Sequence, residues 1–245
     1  MFKKILSLLL TFLLILTLVA CDRTPPDSPP SGDPTDPSNP TDDAEELPLN
    51  SGTIEGTDII WEVYLDRTLY IKGTGALPDY DIPNDQPWYE HGGNTSIDRS
   101  DKEGGSRLVT KIVIGEGITE LSENAFSDFR PLTTVVLPST LRTIPYKCFF
   151  DCPNLKEVVG GTGVVTIEAS AFRYCGSLER IVLSDALATV EESAFGDIIP
   201  TNTNRRLSLN ISGTQAAWQA ALPAMDIHAD NAAFQNATVT FFETE

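Results

Sequence analysis

A phenylalanine behind a small residue returns every 23 positions, as Ala125-Phe126, Cys148-Phe149, Ala171-Phe172 and Ala194-Phe195. Four more apolar columns keep the same spacing. They are Val109, Leu132, Leu155 and Leu178; Ile112, Val135, Val158 and Ile181; Ile118, Leu141, Val164 and Leu187; and Leu121, Ile144, Ile167 and Val190. One 23-residue copy cannot bury an apolar face by itself, so the copies must stack into a solenoid with a continuous core. Stretches such as Leu132-Thr133-Thr134-Val135-Val136-Leu137 are β-prone. The Phe-bearing pieces after Asn124, Glu168 or Glu192 predict short helical or 3-10 turns. The expected fold is a β-rich solenoid, with rungs about 4.8 Å apart and about 20 Å over four rungs.

Within a copy, Leu132-x-x-Val135-x-Leu137-Pro138 is followed by Leu141-x-x-Ile144 and then by Cys148-Phe149-x-x-Cys152. The next copy gives Ala171-Phe172-x-x-Cys175, with Gly160-Gly161 at the apolar-proline position. These units resemble leucine-rich repeats of the BspA-like type, from which Cys148 departs by replacing the usual alanine. Upstream, Trp61-Glu62-Val63-Tyr64, the run Thr68 to Leu77 and Pro87-Trp88 resemble the family's N-terminal unit. That stretch predicts a strand pair with a Gly-x-Gly turn, covering the first rung. The resemblance implies a scaffold found on bacterial surfaces, where some members contact host matrix or other cells. It implies no particular ligand, because one repeat scaffold serves many binders.

Met1-Phe2-Lys3-Lys4 and the apolar run Ile5 to Val19 have the features of a cleaved signal and are short for a membrane span. The run ends Leu18-Val19-Ala20-Cys21, which resembles the bacterial lipobox. That resemblance implies a diacylglycerol thioether on Cys21, which would begin the mature chain on a bilayer. Asp22 after the cysteine accompanies inner-membrane retention in some bacteria, whereas acidic residues near this point accompany surface export in others; the expectation adopted is an outer membrane or cell surface, facing outward. Residues 22–50 carry eight prolines and eight acids against one basic residue, Arg23. Such a segment cannot bury anything and predicts a disordered stalk, reaching up to about 90 Å if polyproline-like. The expected organisation is a signal over 1–20, the lipidated cysteine and stalk over 21–50 and an N-terminal capping unit over 51–107. Repeats follow over 108–198 and a C-terminal capping unit over 199–245. Within the N-terminal unit, His91 to Arg107 is a polar insertion, either a recognition loop or a solvated one. After Pro200 to Asn204, residues Leu207 to Ile211 predict a strand, Gln215 to Leu222 a helix, and Val239 to Phe242 a last strand.

Acids outnumber bases 35 to 17, for a formal charge of −18. Losing Lys3 and Lys4 with the signal leaves 15 bases against 35 acids, −20. No basic stripe exists to replace counterions on a phosphate backbone, so nucleic acid is excluded as a partner. Two histidines and four cysteines do not make a His-rich metal site. No nucleophile elbow, phosphate loop or metalloprotease motif is present, and the expectation is a non-catalytic chain with no cofactor beyond the lipid on Cys21. Besides Cys21 there are Cys148, Cys152 and Cys175. Cys152 and Cys175 share a repeat position, so a disulfide is geometrically open, as are stacked buried thiols.

With Val109, Ile112 and Ile114 inward, strand alternation turns Lys111, Thr134, Glu157 and Arg180 outward, with Val113, Val136, Val159 and Val182 two positions on. These eight residues are the predicted binding face. The valines would form an apolar stripe about 15 Å long. The alternatives are a docking stripe for a protein or extended peptide, host-derived partners included, and plain β-branched strand stiffening or coverage by a neighbouring element. Two functional readings follow: an adhesin-like, membrane-anchored binding module, or a self-associating structural lipoprotein of the envelope or periplasm with no outside ligand.

Overall fold

A computed structural model describes residues 47–80, 85–89, 109–198 and 206–243. Cys21, most of the expected stalk and the 91–107 insertion lie outside the described residues. In chain order the strands begin β1 (Asn50–Thr53), β2 (Ile60–Val63), β3 (Thr68–Lys72), β4 (Gly75–Ala76), β5 (Lys111–Ile114) and β6 (Ile118–Glu120). There follow β7 (Thr134–Leu137), β8 (Thr143–Ile144), β9 (Glu157–Gly160), β10 (Thr166–Ile167), β11 (Arg180–Ser184) and β12 (Thr189–Val190). The C-terminal part holds β13 (Ser208–Ser212), helix α1 (Gln215–Ala221), β14 (Asp226–Ile227), helix α2 (Ala232–Gln235) and β15 (Thr238–Phe242).

The odd strands from β3 onward, preceded by β1 and β2, form one nine-stranded sheet in the order β1-β2-β3-β5-β7-β9-β11-β13-β15. Pairing is antiparallel through β3 and parallel from there on. The 23-residue period is the sheet register itself: Ile112 pairs with Val135, Val135 with Val158, and Val158 with Ile181. All four are 0% exposed. A second sheet, β14-β12-β10-β8, stacks Ile144, Ile167, Val190 and Ile227 in the same way.

The Phe-bearing pieces are runs of i→i+3 turns, such as Ala125 N–H to Ser122 O and Ser127 N–H to Asn124 O. Each turn is bracketed by left-handed residues four apart: Asn124 and Asp128, Lys147 and Asp151, Ser170 and Tyr174, Ser193 and Asp197. Between the brackets, Phe126 N–H donates to Cys148 O, Phe149 to Ala171 O and Phe172 to Ala194 O, which makes a third ladder. The rings stack beneath it. Centroids lie 5.6 Å apart for Phe126–Phe149, 5.4 Å for Phe149–Phe172 and 5.3 Å for Phe172–Phe195.

Both ends of that ladder are closed by side chains of matching polarity. The ladder leaves acceptors open at its first rung, and the Trp88 indole N–H donates to the Ala125 carbonyl at 3.0 Å. It leaves donors open at its last rung. There Asp230 Oδ1 accepts from Ser193 N–H at 3.0 Å and Asn231 Oδ1 from Phe195 N–H at 2.9 Å. Trp88 and Phe234 also extend the ring stack, 5.8 Å from Phe126 and 5.3 Å from Phe195.

Residues 206–243 supply more than a lid over the last rung. β13 pairs with β11 at Arg180↔Ser208, β14 continues the second sheet and Phe234 continues the ring stack. This is a further, irregular rung with α1 inserted. Thr214 caps α1 by accepting from Ala217 N–H at 3.1 Å, and Trp218 is its buried residue. At the other end, Asn50 belongs to β1, so the expected stalk overlaps the first strand by one residue.

Candidate functional site

Strand alternation places the predicted face on the side of the principal sheet away from the core. One row runs Thr68, Lys111, Thr134, Glu157, Arg180, Ser208 and Thr238 across neighbouring strands. The next runs Glu62, Tyr70, Val113, Val136 and Val159, and resumes through Val182, Asn210 and Thr240. All eight predicted residues therefore lie in two adjacent rows.

Their exposure is uneven. Lys111 is exposed, while Thr134, Glu157, Arg180, Val113, Val136 and Val159 are half-buried. Val182 is 7% exposed, although its neighbours Ile181 and Leu183, not Val182 itself, belong to the apolar core. The expectation of four exposed valines thus needs correction at Val182, which lines a groove. The groove measures about 450 Å³, and its lining includes Val159, Arg180, Val182, Asn210, Thr240 and Phe242. Gly160 contributes a wall; its φ is +78°, and a Cβ there would stand 2.0 Å from the Leu137 carbonyl oxygen.

Polar groups around the groove are oriented by one another. Arg180 and Glu157 pair across rungs at 3.1 Å. Asn210 Oδ1 accepts from the Ser208 hydroxyl at 3.1 Å and from the Thr240 hydroxyl at 3.0 Å. At the other end of the rows, Tyr64 and Tyr70 meet edge to face with centroids 5.4 Å apart, and Lys72 Nζ lies 5.2 Å from the Tyr70 centroid. The ammonium of Lys72 also holds Glu62 at 2.6 Å, and that hydrogen bond draws the carboxyl below its ordinary range. The face thus combines a valine centre, an aromatic-cation corner and a polar groove. Sequence reasoning missed Tyr64, Tyr70, Asn210, Thr240 and Phe242. For Tyr70 and Asn210 the signal was plain alternation against the inward Leu69, Ile71, Leu209 and Ile211.

Cys148, Cys152 and Cys175 are free and buried. The Cys152 thiol donates to Phe126 O at 3.3 Å and the Cys175 thiol to Phe149 O at 3.1 Å, the stacked-thiol alternative. Burial pushes Cys148 and Cys152 well above the ordinary thiol range. Among the described residues, no group of three His, Cys, Asp or Glu side chains is placed to hold a metal ion. Nor is any described helix long and apolar enough to cross a membrane.

The model of the BspA-type leucine-rich repeat region matches residues 104–211 in six copies. A leucine-rich cell surface protein from Faecalibacterium prausnitzii A2-165 is similar in structure, with 16% identity, a TM-score of 0.41, and coverage of 71% of this chain and 42% of that one. A leucine-rich-repeat protein from Eubacterium ventriosum ATCC 27560 gives 20% identity, a TM-score of 0.44, and coverage of 74% and 45%. The chain therefore spans less than half the length of either. No curated protein matches it.

Proposed function

We propose that this chain, a BspA-type leucine-rich-repeat protein, is a non-catalytic binding module whose outer sheet face receives an extended segment of a protein or peptide. The observation that carries the reading is the half-buried valine row ending in the groove around Val182. Apolar rows give a strand-like ligand area to bury, while Arg180, Asn210 and Thr240 offer polar partners that fix its register.

Anchoring through a lipid on Cys21, at the end of an acidic proline-rich stalk, completes the proposal and places the module at the bacterial surface. There its partner is a protein met outside the cell, host-derived proteins included. The test is protease shaving and surface labelling of intact cells making the full chain, with a periplasmic marker and Cys21→Ala alongside. Loss of the domain with the marker intact, and release of the Cys21→Ala chain from the membrane fraction, are expected. Protection until the envelope is opened would overturn the surface assignment and favour an envelope-internal role. Val136→Lys with Val159→Lys separates binding from self-association: an outside partner is lost with the oligomeric state unchanged.

A further inference from the structure

The inward column of the principal sheet ends unfinished. Ile112, Val135, Val158 and Ile181 are 0% exposed and Leu209 is 1% exposed, but Val239, next in register, is 36% exposed. Phe241 follows the buried Ile211 and is only partly covered. The exposure jumps at β15, the last strand in the sheet order.

Hydrogen bonding marks the same edge. Thr238 N–H donates to Leu207 O at 2.8 Å, and Gly213 N–H donates to Phe242 O at 2.8 Å. Thr238, Thr240 and Phe242 therefore turn their peptide groups toward β13, and alternation points the N–H and C=O of Val239 and Phe241 away from it. Among the described residues no strand pairs with β15 on that side. Sheet edges are ordinarily blunted by proline, lysine, a bulge or very short length. β15 is five residues, Thr-Val-Thr-Phe-Phe, in unbroken register with β13.

We propose that the outer edge of β15 is a strand-addition site for an extended segment of another polypeptide, apolar at alternate positions and basic at its flank. Backbone pairing to Val239 and Phe241 would supply affinity, and the apolar residues would cover Val239 and Phe241 as each earlier rung covers its neighbour. Charge selects the occupant. Exposed Glu243 follows the strand directly, and the chain carries −18 overall. A second copy would bring another Glu243 and the same acidic excess, whereas a basic segment meets complementary charge.

The experiment uses the full chain and a seven-residue peptide of alternating valine and threonine with lysine at both ends. Amide exchange at Val239 and Phe241 is expected to slow about tenfold or more at saturating peptide. The same peptide ended in glutamate should bind at least several-fold more weakly. A version N-methylated at its central amides should give no protection. Val239→Pro removes an outward donor without touching the bonds to β13, and should abolish the protection of the Phe241 amide, where the variant is read. The methylated peptide makes the same point on the unaltered chain. The proposal is overturned by unchanged exchange with the lysine peptide, or by equal protection from the methylated or glutamate-ended one. Protection that grows with chain concentration alone would also overturn it, because the occupant would then be a second copy.

Discussion

Asn231 caps the last rung of the turn ladder at Phe195, beside Asp230 at Ser193. Its Oδ1 accepts from Phe195 N–H, and its Nδ2 donates to Glu191 O at 2.7 Å and to His228 O at 3.2 Å; Asn231 itself is 0% exposed. Asn231→Ala leaves the buried Phe195 N–H unpaired, while the Glu191 and His228 carbonyls keep the N–H groups of Ala194 and Asn231, and it should cost about 1–3 kcal/mol in urea unfolding. Gly160→Ala forces a β-carbon toward the Leu137 carbonyl in left-handed backbone, and a loss of about 1–3 kcal/mol is expected by the same measurement. Asp230 adds a pH signature. Its carboxyl accepts from the Ser193 hydroxyl and amide and faces His228 at 2.6 Å, and these hold it at about 2. A depressed carboxyl stabilises the fold above its unfolded value of 3.8, and that contribution fades as pH falls toward 2. The Asp230 hydrogen bond raises His228 above 6.5, so its contribution is full below 6.5 and fades as pH climbs through the folded value. The stability difference between the chain and Asp230→Asn, followed across pH, should therefore shrink at both limits. A flat difference would contradict the pairing.

Within elements, the ring stack tests whether the rungs share one core. Phe172 lies between Phe149 and Phe195, 5.4 and 5.3 Å away. Phe172→Ala should destabilise by about 3–5 kcal/mol in a urea melt, whereas Tyr174→Ala, at an exposed ring, should cost far less. The inward columns were legible because a period of 23 leaves the same apolar type at the same place. The left-handed brackets were not, since Asn124, Lys147, Ser170 and Ser193 share a backbone state but no side-chain chemistry. β1, as Asn-Ser-Gly-Thr, carries no strand signal, and β14 with α2 lies outside the period. The C-terminal rung was visible only as pieces, because an inserted helix stretches the Phe195-to-Phe234 step to 39 residues. On the face, the Tyr64–Tyr70 corner was hidden because it sits on a hairpin without the repeat period. Val182 read as exposed because sequence cannot show a groove.

At the scale of the whole molecule, two rows of side chains and a groove lie on one face of a laddered stack whose interior residues are committed to packing. On the proposed function, this face is where a partner binds. The most direct measurement selects peptides from a random library on the full purified chain and follows methyl NMR shifts of the valines as the selected peptide is added. The largest shifts are expected at Val136, Val159 and Val182, with loss of binding in Val136→Lys/Val159→Lys and the fold retained. Shifts confined to the turn side, around Phe150 and Tyr174, or binding unaffected by the double substitution, would contradict that function.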